Sequence, residues 1–325
     1  MFIETSHRNK RARTHPGEYV LVDSFSMTNG CHAVGSSMRN TGMNTKPRTK
    51  IFYDDDYVLD SGVETRTKAK PIAELIISEG VSGVELCSPR KATRQELEEV
   101  HSPEYLDSLW NGDQDLLRSL LASTGGVLDA VDQALINGFS ASLSSGLHHA
   151  KRTHEEGFCY INGLALAALR ALHVHGLTDI GILDLDAHCG GGTFQLIGND
   201  TRVRLADVST NSYDSWKSFE LRHHLKIARD ANNYLVEVEK ALKHLSGVQL
   251  LIYNAGMDPF EGCSTGGQPG VTREVLQRRE ELVADWCRTN NVPVLFVLAG
   301  GYEGPNLDLE GVARLHLLTI KEFAK

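Results

Sequence analysis

The chain has 325 residues, with 33 Lys and Arg against 42 Asp and Glu, and a formal net charge of −9. Hydrophobic residues make up 41% and charged residues 23%, which suits a soluble protein with a large core. The acidic balance argues against a broad phosphate-binding face and so against direct nucleic-acid binding, and no run approaches the ~18 apolar residues of a membrane span.

Residues 1–50 are rich in Ser, Thr, Asn, Gly and Met with weak periodicity, and read as an N-terminal extension or irregular covering segment. They begin without the apolar core of a signal peptide. The six cysteines, at 31, 87, 159, 189, 263 and 287, show no CxxC spacing. That pattern predicts free thiols in a reducing compartment and a cytoplasmic setting.

Regular structure is expected from Ile51, as one catalytic domain over 51–325. Thr93-Arg-Gln-Glu96 is a capping box at a helix start. Ser102-Pro103 starts a second helix carrying Tyr105, Leu106 and Leu109. A third helix is expected over Gly125–Asn137. Beyond it, strands at Phe139–Leu147, Ile180–Leu185, Val203–Val208, Val248–Tyr253 and Val292–Leu298 alternate with helices. Those helices are expected over Ile161–His175, 223–245, from Thr272 to about Arg288, and 307–323. Short apolar strands between helices predict an α/β domain with a mostly parallel sheet covered on both faces.

Ligands bind such sheets at the carboxyl ends of the strands, and four of these ends carry polar groups. They are His148-His149, Asp184-Leu-Asp186-Ala-His188, Asn254-Ala-Gly-Met-Asp258 and Gly300-Gly301-Tyr302. Asp186 and His188 alternate, so both side chains can reach one ion, and Asp258 completes a set of three. Three protein ligands with an open position suit a catalytic metal. Zinc fits this set best, and Fe(II) or Co(II) is compatible with it. Cys189 points the other way. Asp184 lies in an apolar strand, where a charge needs a partner such as a histidine N–H. The histidine pair is placed to exchange a proton with water activated at the metal. A phenol at Tyr302 can donate to an oxyanion. His223-His224, with no partnering motif, reads as a solvated helix face.

These motifs, with Pro89-Arg-Lys-Ala-Thr93, His101-Ser-Pro-Glu-Tyr105, Gly146-Leu-His-His-Ala150 and Gly157-Phe-Cys-Tyr160, resemble the histone deacetylase superfamily. That superfamily includes acetylpolyamine amidohydrolases and acetoin-utilisation-type proteins. The motifs run in family order over roughly residues 51–320. The resemblance implies an arginase/deacetylase-like single domain and one zinc ion held by Asp186, His188 and Asp258. It also implies His149 as general base and acid, and His148 oriented by Asp184. Asp184 would further help bind a structural potassium ion. Tyr302 would polarise the substrate carbonyl. Gly157, Phe158, Tyr213, Gly300 and Gly301 would line the substrate.

Two departures stand out. Cys189-Gly190-Gly191-Gly192 follows His188, so Gly191 replaces the acid or amide that usually bonds the second histidine. The segment from Tyr105 to Gly125 is short where histone-directed members carry a loop with a peptide-gripping acid, and Asp113 and Asp115 are the acids that lie in this stretch. Gly190 stands where arginase-type enzymes need an aspartate for a second metal, which argues against them. Three readings stay open. They are a deacylase of acyl-lysine in proteins or peptides, a deacylase of a small acylated amine, and a zinc-bound binding module weakened at Gly191.

Overall fold

The computed structural model describes residues 48–59, 67–218 and 220–325. The extension expected over 1–50 lies outside the described residues except at its last three positions. Strand β1 (Thr49–Phe52) begins two residues before the expected start. There follow α1 (Ala69–Ser78), β2 (Val84–Cys87), α2 (Arg94–Glu98), α3 (Pro103–Trp110), α4 (Gln114–Asn137), β3 (Phe139–Ser142) and α5 (Gly163–His173). Then come β4 (Ile180–Asp184), α6 (Gly191–Ile197), β5 (Val203–Ser209), β6 (His223–Ile227) and α7 (Ala231–His244). β7 (Leu250–Ala255), α8 (Arg273–Asn290), β8 (Val294–Leu298) and α9 (Leu309–Phe323) complete the order.

The eight strands form one sheet in the order β2-β1-β3-β8-β7-β4-β5-β6, and every pairing is parallel. All the carboxyl ends therefore share one edge. The strands are short and apolar because both faces are covered. In β7, Leu251 and Tyr253 face the layer of α1, α7, α8 and α9. Leu250 and Ile252 face the opposite layer of α2, α3, α4 and α5. The period of two in each strand thus feeds two cores at once.

The capping box forms as expected. Thr93 Oγ1 accepts from the Glu96 amide at 3.3 Å, and Glu96 Oε2 accepts from the Thr93 amide at 2.8 Å. Glu96 also takes a forked ion pair from Arg90, at 2.9 and 2.6 Å, and Arg90 reaches Asp129 at 3.0 Å.

Three expectations need correction. Residues 223–245 are not one helix. His223–Ile227 pairs with β5 as the edge strand β6, and α7 starts only after Asp230, whose side chain accepts from the Asn232 amide. His223 is accordingly not a solvated helix residue. Its Nδ1 accepts from the Leu205 amide at 3.2 Å, and its Nε2 donates to the Gly198 carbonyl at 2.7 Å. A helix period read across His223 and His224 missed a strand whose ladder partner lies 18 residues upstream. Second, β3 stops at Ser142 and not at Leu147. The chain turns there, with Ser142, Ser144 and Tyr57 linked by hydroxyl hydrogen bonds and Leu147 at φ 55°. Third, α4 starts at Gln114, where Asp113 caps it by accepting from the amides of Asp115 and Leu116, and Asp115 pairs with Arg118. Asp113 and Asp115 are thus helix-start residues.

Replacing Thr93 with Ala should lower stability by about 1 kcal/mol, the usual cost of losing such a cap, read from the midpoint of urea unfolding at constant slope. Burial opposes the charge on Glu96, but Arg90 and Thr93 prevail and pull its carboxyl down to about 2. Its contribution to stability is then full above the ordinary carboxylate value and fades as pH falls toward 2. Glu96→Gln should lose that part of the acid dependence. Parallel acid-unfolding curves for the variant and the parent protein below neutral pH would contradict it.

Candidate active site

Five neighbouring strands, β3, β8, β7, β4 and β5, deliver the candidate residues to the shared edge. β4 is central among them. Asp184 at its end is in register with Asn254 of β7 on one side and Asp207 of β5 on the other. Beyond Asp184 the chain bends instead of continuing extended, so simple alternation does not align Asp186 with His188. Side-chain to main-chain bonds do. The Asp186 amide donates to Asp184 Oδ1 at 3.2 Å, and the His188 amide donates to Asp186 Oδ1 at 2.9 Å. Asp186 Oδ2 accepts from the Gly300 amide at 2.7 Å, and Asp258 Oδ1 accepts from the Ala187 amide at 3.0 Å.

The ligand atoms of Asp186, His188 and Asp258 lie within 4.8 Å of one another. His188 Nδ1 sits 3.0 Å from Asp186 Oδ1 and 3.1 Å from Asp258 Oδ2. Tetrahedral zinc, with bonds of ~2.0–2.1 Å, would hold its donors about 3.3 Å apart, so the observed spacing suits such an ion. The electrostatics agree. Asp258 Oδ2 is buried and, among the described residues, has only the His188 ring beside it and no well-formed hydrogen bond. Burial and then Asp186 push the Asp258 carboxyl up to about 6, and the histidines hold Asp186 charged against its own burial. Burial disfavours charge on His188, yet the two carboxylates draw its value up to about 10. The site demands positive charge at one point, and a divalent ion there would leave the imidazole neutral, as a ligand must be. Cys189 stays outside the set, its Sγ directed to the Asn211 carbonyl at 3.4 Å.

His148 and His149 are both 5% exposed, with ring centroids 4.0 Å apart. His148 Nδ1 donates to Asp184 Oδ2 at 2.7 Å, the partnership expected from the sequence. Burial opposes charge on His148, but Asp184, Asp186 and Asp207 outweigh it and raise the imidazole to about 10. His149 differs. Burial and then the charge of His148 push it down to about 4, with Asp214 opposing. The adjacent rings are thus driven apart, one toward the cation and one toward the neutral base.

His149 does have an acidic partner. Its Nδ1 donates to Asp214 Oδ2 at 2.9 Å. Asp214 Oδ1 accepts from Lys151 Nζ at 2.5 Å, and Oδ2 also accepts from the Gly192 amide at 3.1 Å. Sequence reasoning placed Tyr213 at the site but missed its neighbour. The available signals were the side-chain vacancy at Gly191 and an acid in the polar turn just after β5.

The pocket holds about 370 Å³ of space including its open mouth, and its walls include His148, His149, Gly157, Phe158, His188, Gly300 and Tyr302. Phe158 and Tyr213 are exposed at the rim. The Tyr213 ring stands edge-on to His149 at 5.0 Å and to His188 at 5.9 Å. Gly157 permits close approach, since a Cβ there would lie 2.5 Å from His149 Cδ2. A Cβ on Gly301 would meet His316 Nε2 at 2.8 Å, so that position too is closely packed. Lys68 was also missed. It is 1% exposed and donates to the Ala299 carbonyl behind Gly300, and although Asp258 and Asp186 support its charge, burial lowers it to about 8.

A model of the histone deacetylase domain matches residues 63–315. An uncharacterised protein of Picosynechococcus sp. (strain ATCC 27264 / PCC 7002 / PR-6) is 30% identical over 276 residues, covering 78% of this chain and 91% of that one. Histone deacetylase 2 of Arabidopsis thaliana is 24% identical over 323 residues, covering 86% of this chain and 82% of that one. The crystal structure of the HDA15 HD domain superposes with a TM-score of 0.73 at 21% identity, over 86% of this chain and 90% of that one, and so shares the fold. With that domain spanning most of its length and the all-parallel sheet to match, this chain belongs to the histone deacetylase family.

Proposed function

We propose that the chain is a zinc-dependent deacetylase that hydrolyses the amide of an acylated lysine side chain in a protein or peptide. One observation carries this reading. Three metal-capable donors converge beside two buried histidines, each bonded to its own carboxylate. A zinc ion held by Asp186, His188 and Asp258 would supply Lewis acidity toward the amide carbonyl and toward an attacking water.

The chain's own groups account for the proton traffic. His149 has its Nδ1 proton committed to Asp214, so Nε2 takes the proton of the attacking water. The Tyr302 hydroxyl donates to the carbonyl oxygen as negative charge grows on it. When the C–N bond breaks, the proton returns from His149 to the departing amine. His148, held by Asp184 through Nδ1, lies beside the reacting centre. Phe158 and Tyr213 flank the acyl-lysine stem with apolar surface. The bond from His149 to Asp214 removes the main reason for reading the chain as a weakened binding module, because Gly191 does not leave that histidine without an acid.

The potassium ion belongs to the same proposal. Asp184 and Asp207 are buried side by side, and burial and then the charge of Asp184 raise Asp207 to about 7. A monovalent cation beside Asp184 would relieve that repulsion. A cytoplasmic setting rests on the scattered cysteines of the sequence, which show no CxxC spacing and no dense framework. No helix among them is long and apolar enough to cross a membrane. The net charge of −9 supports a protein or small-molecule substrate over nucleic acid.

A second reading, a small acylated amine as substrate, has one observation in its favour. Between Tyr105 and Gly125 the chain is α3, a short turn and the first half of α4, with Asp113 and Asp115 engaged at the helix start. That stretch has no long rim loop to grip a peptide backbone.

Zinc-loaded protein tested against acetyl-lysine peptides and acetylpolyamines separates the two substrates. Turnover confined to the polyamines would replace the first reading with the second. His149→Ala and Tyr302→Phe should each cut kcat by at least ~10² with zinc still bound. Near-normal kcat in either variant contradicts the role given to that residue. Asp258→Ala should lose the metal, measured as zinc per chain by atomic emission, and turnover with it. Full zinc retention in that variant would remove Asp258 from the ligand set.

A further inference from the structure

The α6 start, where Gly191 sits, is the family's expected source of an acid for the second histidine. In this chain the acid comes from elsewhere, and the space at Gly191 shows how. A Cβ on Gly191 would lie 2.2 Å from Asp214 Oδ1 and 2.3 Å from the Asp214 carbonyl oxygen. Neither distance is compatible with a real side chain, so the turn that carries Asp214 requires glycine at 191. Asp214 sits at φ 53°, a left-handed conformation that Asp tolerates better than most residues. The turn before it is fixed to the metal segment. The amides of Thr210 and Asn211 donate to the Ala187 carbonyl at 3.0 Å, and the Cys189 amide donates to the Tyr213 carbonyl at 3.0 Å.

Lys151 comes from a third direction, two residues beyond His149. It is 8% exposed, with Nζ 2.5 Å from Asp214 Oδ1 and 3.6 Å from Glu156 Oε2. The carboxylate of Asp214 is therefore shared between a cation on Oδ1 and the imidazole N–H and Gly192 amide on Oδ2. A buried carboxylate with all these donors in place cannot rotate without breaking several bonds at once.

We propose that Asp214, braced by Lys151, is the positioning residue for His149. It fixes the imidazole with its proton on Nδ1 and leaves Nε2 as the accepting nitrogen. This rests on the general-base role proposed above for His149. The same turn carries Tyr213, so the residue that orients the base and the aromatic at the rim are held by the same main-chain bond to Cys189.

Two variants perturb the pair from either side, and the conservative one carries the decisive readout. Asp214→Asn removes the charge and keeps a residue that tolerates the left-handed turn. Gly191→Ala leaves Asp214 in the chain and crowds both its carboxylate and its main-chain carbonyl, displacing the turn. The first readout is the Nδ1–H resonance of His149 in full-length protein labelled with [15N]histidine, assigned by its loss in His149→Gln. The second is steady-state kinetics with zinc content measured alongside. The parent protein should show a slowly exchanging Nδ1–H signal, lost or moved in both variants. In both, kcat should fall about 10–100-fold, with KM within about three-fold and zinc retained at the parent's level. Lys151→Met should show a smaller fall in kcat of the same kind. An unchanged Nδ1–H signal in Asp214→Asn overturns the proposal. So does a kcat within about two-fold of the parent, or loss of zinc in step with turnover. A parent protein that turns over no acylated amine would instead defeat the proposed function, and the resonance alone would then decide the role of Asp214.

Discussion

Asp186 and Asp258 are withdrawn from water with only an imidazole between them, and buried like charges destabilise a folded chain unless positive charge lies within reach. Much of the strand edge is arranged around that demand. His188 stands between the two carboxylates, His148 is held nearby with its imidazole raised to about 10, and Lys68 lies buried behind Gly300. Main-chain amides from Ala187 and Gly300 take the oxygens that face away from the shared point. The result is a carboxylate pair whose positions are fixed from outside and whose open valence points inward.

The fold makes this arrangement possible by collecting strand ends. Because all strand pairings are parallel, β3, β8, β7, β4 and β5 release their chains on the same side. Each contributes its polar site residues from the end of the strand or from the loop that follows it. The apolar strand interiors bury both faces of the sheet and hold these ends in register. Asp184, Asn254 and Asp207 form a polar row across three strands, linked by the Asn254 amide to Asp184 Oδ1 at 2.8 Å. Function and stability are divided along the strand, with apolar packing in its body and charge at its tip.

Local features were the legible ones. The Thr93 box and the Asp184–His148 pair could be read because each depends on a short motif or on a charge misplaced in an apolar strand. The fold class followed from the alternation of apolar runs and helices. The edge strand β6 was misread because two histidines in a polar stretch give no period of two, and their ladder partner is in β5. The end of β3 was set too late because the serines after Ser142 look strand-like in sequence yet bond to one another around a turn. Asp214 was out of reach for a different reason. It stands 65 residues from its histidine, and its position depends on the absence of a side chain somewhere else.

That absence constrains how the protein can vary. An acid restored at position 191 collides with the one at 214, and loss of the one at 214 leaves nothing at 191 to replace it. The two positions are therefore coupled through space. Homologues carrying glycine at the first position should therefore carry an acid at the second, and that covariation is a way to sort relatives of this chain from those that keep the acid on α6.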